Sequence, residues 1–190
     1  TAYEIYQCDW SSDVCSSDLR NLEPLFAHRP ASGIFNAIYA EVRRPDEVTA
    51  RFRGAADLWR PIAGLSDEAV IEQIRQDRID ILVHLAGRFD RNRPSIAAGR
   101  AAPIQFSFHD PATSGFPAVD YLIADRFLVP RPASERFAER VLRLPSFYTH
   151  APIAGAPDPG PLPAGVAGPV TFVSFNHPRS EEHKAELQSH

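Results

Sequence analysis

The sequence predicts an α/β protein built on a Rossmann-like parallel sheet of the doubly wound type. Between Ile34 and Asp125 short apolar runs alternate with amphipathic stretches, the rhythm of strands joined by right-handed helical crossovers. Within that span the run Ile79 to Leu85 is apolar apart from Asp80 and His84, the composition of a strand covered on both faces.

The elements follow in order. IFNAIYA (Ile34 to Ala40) has the branched and aromatic residues of a strand. RRPDEVTARFRGAADLW then carries a helix start, with Pro45 in the first turn and Asp46 and Glu47 at the positive end of the helix dipole. SDEAVIEQIRQD repeats the arrangement: Ser66 can cap, Asp67 and Glu68 follow, and Val70, Ile71 and Ile74 recur at helical spacing. It feeds the strand in IDILVHLAG. PIQFSF (Pro103 to Phe108) and DYLIAD (Asp120 to Asp125) read as two more strands, and PASERFAERV as a short helix followed by LRLP. Ala151 to Pro169 is mostly Ala, Pro and Gly with Asp158 as its sole charge, the composition of a surface connection or interdomain hinge. VTFVSFN (Val170 to Asn176) resumes as a strand, read as the start of a second domain.

Both ends read differently from the middle. Cys8 to Leu19 back-translate in one unbroken frame into a common sequencing-adapter oligonucleotide, and Thr1 to Ile5 fit its next stretch upstream. Tyr6 and Gln7 fall where a sample index would sit. Arg179 to His190 fit the complementary strand apart from Lys184 and Ala185. Terminal scars are set aside before a fold is reasoned. Residues 1–19 and 179–190 are therefore expected to have no place in the fold, and Arg20 to Pro178 is taken as the biological piece, cut at both ends by a DNA fragment.

That division changes the bulk properties. The tails hold two of the 20 Lys and Arg and seven of the 24 Asp and Glu, which leaves 18 against 17 between them. No nucleic-acid or other strongly charged partner is implied. Both cysteines, Cys8 and Cys15, lie in the first tail, so neither a disulfide nor a thiolate metal site is read from them. The piece has no lysine, and with its abundant Ala and Pro it points to a GC-rich bacterial source. A piece of roughly 160 residues can bury a core of its own. No apolar run reaches the roughly 20 residues of a membrane span, so no membrane partner is expected.

Ligands of doubly wound sheets bind outside the carboxyl ends of the strands, which puts the turns after Leu85, Phe108 and Phe175 on the functional edge. HDPATSG (His109 to Gly115) has the small hydroxyl residues and glycine of a loop that cradles a phosphate or sugar, though an ordinary turn has the same composition. GRFDRNR (Gly87 to Arg93) offers three arginines and Asp90 on that edge, and reads first as solvated loop charge. His28, His84, His109, His150 and His177 lack the HxH or HxxxH spacing of a metal pair, so no metal is expected. His84 reads as a packed strand histidine; His109 and His177 follow strands and are the two to test. No Ser/His/Asp or Cys/His arrangement is present.

RRPDEVTARFRGAADLWRPIAGLSDEAVIEQIRQDRIDILVHLAG, RAAPIQFSF, TSGFPAVDYLIADRFLVP, ERVLRLPSFYTHAP and VTFVSFNHP, in that order, resemble successive segments of the catalytic region of the O-linked N-acetylglucosamine transferases and their Spindly-type relatives. The stretch from Ala102 to Pro145 is the most specific. The resemblance implies a partial GT-B fold: most of the first Rossmann-like lobe (20–150), a Pro/Gly-rich hinge (151–169) and the first strand of the donor-binding lobe (170–178). It implies a cytoplasmic glycosyltransferase, in a family usually carrying tetratricopeptide repeats. Such a parent moves a sugar, N-acetylglucosamine by resemblance, from a UDP-linked donor to Ser or Thr hydroxyls of a protein or peptide acceptor, without a cofactor.

The family's aspartate and histidine of its DFxxH-type segment lie before Arg20. Its catalytic lysine follows the FN segment by four residues and lands on Ser180, in the second tail, so no catalytic residue is assigned here and the chain is expected to be inactive. Thr113, Ser114 and Gly115, then Asn176 and His177, are carried over as candidate donor contacts, with His109 beside them. FHDPATSG departs from the family's WLGYPGTSG, RFDRNR from HTAGNR, and His177 stands where a Gln is usual. A second function class stays open: a non-catalytic nucleotide- or sugar-binding module or repeat scaffold. A Lys four residues beyond Asn176 in the genomic sequence would favour the enzyme.

Overall fold

The computed structural model describes residues 2–7, 22–26, 28, 34–85, 93–108, 112–147, 155, 157, 158, 160 and 161. The chain divides into two compact units, Thr1–Ala151 and Pro152–His190. In the second, the described residues are exposed and Gly155 takes a φ of +75°, a left-handed turn position that suits glycine. The strand read in Val170 to Asn176 and the tail from Arg179 lie outside the described residues.

The first unit is a seven-stranded, wholly parallel sheet: β1 (Ala2–Gln7), β2 (Phe35–Ala40), β3 (Leu58–Pro61), β4 (Ile81–His84), β5 (Ile104–Ser107), β6 (Tyr121–Asp125) and β7 (Arg140–Leu144), in the order β3-β2-β1-β4-β5-β6-β7. Residues 22–26 are helical (α1), followed by α2 (Glu47–Ala55), α3 (Asp67–Gln76) and α4 (Pro94–Ala98).

The start of α3 is where the sequence puts it, whereas Pro45, read in the first turn of its helix, precedes the cap of α2. Asp46 caps α2, its carboxylate accepting from the Thr49 amide at 2.8 Å while Thr49 Oγ1 accepts from the Asp46 amide, a reciprocal capping box. Ser66 Oγ accepts from the Ala69 amide at the start of α3. Val70 and Ile74 are fully buried, as their spacing requires.

Side chains alternate across a pleated sheet, so the pairing register assigns the core. Ala37, Tyr39, Leu82, His84, Gln105, Ser107 and Leu122 share one face. There Ala37, Tyr39 and Leu82 pack with Val70 and Ile74 of α3 and Ile96 of α4. Ile38, Val83, Phe106, Tyr121 and Ile123 share the other. Its β2 side is covered by Leu22 and Phe26 of α1 and Phe52 of α2. Over β5 to β7 this second face is half open: the Phe106 and Tyr121 rings stack at 4.9 Å, and Ile104, Leu142 and Leu144 are exposed.

Two expectations need correction. Residues 1–19 were to have no place in the fold, yet Ala2–Gln7 is a central strand, paired with both β2 and β4. The physical reason is that the buried backbone groups of those neighbours need partners, and AYEIYQ has the alternating β-formers that fill an extended slot. The rest of the first tail, residues 8–19, lies outside the described residues. PASERFAERV was to be a short helix; Arg140–Leu144 is instead the edge strand β7, and the residues before it are irregular. The Ala138 amide, which a helix would direct to the preceding turn, donates to Thr113 Oγ1 (3.1 Å), and the Arg140 amide joins the ladder at Asp120 O (2.9 Å). Tertiary partners outbid local helix propensity there.

Candidate functional site

The strand order turns back at β1: β2 and β3 lie to one side of it, β4 to β7 to the other. In open parallel sheets the crevice outside the carboxyl ends at this reversal is the ligand site. Glu41, directly after β2, and His84 and Leu85, closing β4, flank it.

Arg93 ties this edge together. Its guanidinium donates to Glu41 Oε2 (3.2 Å), to Asp67 Oδ1 (2.5 Å) and to Leu65 O (2.6 Å), joining the end of β2 to the first turn of α3. The side chains are well shielded, Arg93 at 14% and Glu41 at 12% exposure, so the pair acts in a medium far less screening than water. One of the three arginines read as solvated loop charge is therefore an internal brace; the residues from Gly87 to Asn92 lie outside the described residues.

His84 is a buried neutral imidazole. Burial lowers its pKa from 6.5 to about 4, against the opposing pull of a hydrogen bond with Gln105. Gln105 Nε2 gives its two hydrogens to Ala97 O (2.9 Å) and Ala118 O (2.7 Å), which fixes Oε1 as an acceptor. His84 Nε2, 3.3 Å from Oε1, then carries the hydrogen. A neutral imidazole fixed in this way packs and orients; near neutral pH it does not take up the second proton that would make it a cation.

Asp125 closes the carboxyl ends of β6 and β7. Its carboxylate accepts the Phe127 and Leu128 amides on one oxygen and the Phe147 amide on the other, at 2.8, 2.8 and 3.0 Å. The Leu128 bond leads in holding its pKa below the ordinary value, with the Phe147 and Phe127 bonds adding, against desolvation. Phe147 in turn packs on Phe108 at 5.0 Å, seating the end of β5. Beyond Asp125, Phe127 is 75% exposed with the Arg126 guanidinium 5.0 Å over its ring.

Of the expected donor contacts, Thr113, Ser114 and Gly115 are described; His109, Asn176 and His177 lie outside the described residues. Thr113 Oγ1 donates to Glu139 Oε2 (2.7 Å), while the Ser114 amide (2.7 Å) and hydroxyl both donate to Glu139 Oε1. Gly115, exposed at φ +74°, turns the chain away, its amide donating to Thr113 Oγ1 (3.1 Å). Glu139 is 6% exposed and precedes the first residue of β7. The clamp therefore sits by the amino end of β7, and both hydroxyl hydrogens are committed to Glu139. The Ser114 and Gly115 amides are committed within the segment too, and Thr113 Oγ1 and Ser114 Oγ already accept from the Gly115, Ala138 and Phe116 amides.

Sequence reasoning missed Glu139, because its segment was read as helix, and missed Arg93 and Asp125. Asp125 closing DYLIAD, just before a turn, was a legible sign of an amide-capping aspartate. A cleft of about 340 Å³, lined by Ile104, Asp120, Tyr121 and Arg140 among others, opens by the amino ends of β5 to β7. That is the opposite edge from the crevice. Among the described residues no group of three metal-ligating side chains is present, and no helix is long and apolar enough to cross a membrane.

An all-parallel sheet covered by helices on both faces, its strand order reversing at β1, defines a doubly wound α/β lobe. Residues 62–151 match Glycosyl transferase family 41, and the chain carries a glycosyltransferase region of the O-GlcNAc transferase and Spindly type. It is 35% identical over 162 residues to a probable UDP-N-acetylglucosamine–peptide N-acetylglucosaminyltransferase SPINDLY of Oryza sativa subsp. japonica, covering 82% of this chain and 18% of that protein. The corresponding protein of Solanum lycopersicum is 36% identical over 162 residues, covering 82% and 17%. Among solved structures, a lysine-to-methionine mutant of the Thermobaculum terrenum O-GlcNAc transferase superposes with a TM-score of 0.71 at 32% identity, covering 77% of this chain and 28% of that one. The chain thus spans less than a fifth of the length of these curated relatives.

Proposed function

We propose that the chain is a piece of a cytoplasmic protein O-glycosyltransferase whose parent moves N-acetylglucosamine from UDP-N-acetylglucosamine to Ser or Thr hydroxyls by direct inverting displacement, without a metal. The observation that carries this reading is the coincidence of family and geometry. The family match spans β4 to β7, the half of the sheet that bounds the crevice on one side. Residues 20–150 then form the later part of the first lobe, 151–169 the hinge and 170–178 the first strand of the donor lobe, with 1–19 and 179–190 foreign to the parent. His109, Thr113, Ser114, Gly115, Asn176 and His177 are the proposed donor contacts. With the Thr113 and Ser114 hydroxyl hydrogens and the Ser114 and Gly115 amides committed within the segment, it would contact a donor through its carbonyl oxygens.

The chain alone is expected to be inactive. The family's lysine would oppose charge on the leaving nucleoside diphosphate, and Ser180 stands at its place; loss of one such contact costs about a hundredfold to a thousandfold in rate. The test is incubation of the purified chain with UDP-N-acetylglucosamine and an acceptor peptide, followed by mass spectrometry. Turnover above a no-protein control would show that the active site, the domain boundaries or the family role has been misplaced.

A further inference from the structure

The half-open face of the sheet carries polar groups that the crevice does not use. Ile104, Tyr121 and Arg140 share that face and line the cleft of about 340 Å³ by the amino ends of β5 to β7. Pro103 and Pro117 add apolar wall, and Asp120 completes the polar side chains. Ligand sites of roughly 300–1,000 Å³ are built in this way, from apolar walls with a few convergent polar groups, and this one lies at the small end. It suits a small molecule rather than a peptide.

Two of the three polar side chains are uncommitted. Both Asp120 oxygens accept from Arg100 Nη2, at 3.0 and 3.1 Å, and one also accepts the Gln105 amide at 2.8 Å, so its charge is already matched. Among the described residues, neither the exposed Arg140 guanidinium nor the Tyr121 hydroxyl has a hydrogen-bond or ion-pair partner. The two residues are register partners on neighbouring strands, about 4.8 Å apart across the ladder. Both are anchored at the base: the Arg140 amide donates to Asp120 O at 2.9 Å, and the Tyr121 ring lies on Phe106 with centroids 4.9 Å apart. A site held in place before its ligand arrives loses less entropy on binding.

One free cation beside one free hydroxyl, next to apolar walls, is the complement of a single carboxylate on an apolar body. The guanidinium fork matches the two carboxylate oxygens, and the hydroxyl supplies a further donor. A phosphate would bring nearly two negative charges to a single cation beside Asp120. We propose that the cleft is a binding site for a small apolar monocarboxylate, its carboxylate held by Arg140 and Tyr121 and its apolar part against Pro103, Ile104 and Pro117. The proposal holds whether or not the parent transfers a sugar, because the cleft lies at the edge of the sheet opposite the crevice.

Sodium benzoate is the probe, titrated into the intact, isotope-labelled chain and followed by its amide resonances. Saturable shifts should centre on Tyr121, Ala138 and Arg140 with a Kd on the order of 1 mM. No saturation by about 10 mM, or shifts spread evenly over the surface, overturns the site. Benzyl alcohol, the same ring without the charge, and inorganic phosphate, a charge without the ring, should each bind about tenfold more weakly or worse. Equal affinity for the alcohol refutes recognition of the carboxylate, and equal affinity for phosphate refutes recognition of the apolar part. Arg140→Gln should weaken benzoate about tenfold and Tyr121→Phe, which keeps the stacked ring, about threefold, whereas Arg53→Gln on α2 should leave binding unchanged. An Arg140→Gln chain that binds benzoate as tightly as the wild type refutes the assignment, and so does an equal loss in Arg53→Gln. Should Arg140→Gln fail to fold, Tyr121→Phe and the ligand series on the wild-type chain decide it.

Discussion

Between pH 7 and pH 5, acidification should destabilise the protein chiefly through His84. In the folded state its imidazole titrates at about 4 because burial disfavours the cation; in the unfolded chain it returns to 6.5. Between those values the unfolded state binds the extra proton, so the contribution of His84 is complete above about pH 6.5, falls as the pH drops through the window from 6.5 to 4, and levels off below it. At pH 5 the unfolded imidazole is almost wholly protonated and the folded one almost wholly neutral. The linkage then removes about 2 kcal/mol relative to pH 7, out of a total stability on the order of 5 to 15 kcal/mol. The assay is urea unfolding at pH 7 and pH 5 for the wild-type chain and for His84→Gln, which keeps a polar partner for Gln105 without a titrating group. The wild type should lose about 2 kcal/mol more than the variant over this interval. The same pH loss in both proteins, or a His84 resonance that titrates near 6.5 in the folded protein, would refute the buried neutral imidazole.

Other substitutions probe the remaining braces. Glu139→Ala removes the acceptor of the Thr113 and Ser114 hydroxyls and of the Ser114 amide, and should cost about 3 kcal/mol in urea unfolding, with Glu139→Gln retaining part of it. Arg93→Ala takes the guanidinium from two carboxylates and a carbonyl, for a loss of about 3 kcal/mol, whereas Arg93→Lys keeps the charge without the fork and should lose less; both are read by the same unfolding assay. Asp125 has a lowered folded pKa, so its contribution is present above the ordinary carboxylate value of 3.8 and is lost as pH falls through the lowered one. Asp125→Asn should flatten that acid limb in stability measured from pH 5 to pH 2. Leu82→Ala, at a fully buried position of β4, should cost about 3 kcal/mol, and a loss below 1 kcal/mol would contradict the two-sided packing of the sheet centre.

Local signals carried the periodic elements. The cap at Ser66 and the apolar spacing of Val70 and Ile74 located α3 because a helix start and one buried stripe are written in adjacent residues. The unbroken run around Leu82 announced a strand covered on both faces for the same reason. Short elements escaped: β3 at Leu58–Pro61 was absorbed into the stretch read as a helix, and α4 at Pro94–Ala98 was not read at all, since four or five residues hold too little pattern to separate a strand from a turn.

The sequence by itself determined the parallel α/β class, the resemblance to the O-GlcNAc transferases, and the segments from which the sheet is built, because each depends on residues close together along the chain. Tertiary structure alone decided that Glu139 clamps Thr113 and Ser114 from 25 residues or more away, that Arg93 reaches back 52 residues to Glu41, and that Ala2–Gln7 lies between β2 and β4. A buried carboxylate takes whichever donors the fold brings to it, and a gap in a parallel sheet takes whichever extended segment satisfies its peptide groups; neither condition is local, so neither leaves a mark in the neighbouring sequence.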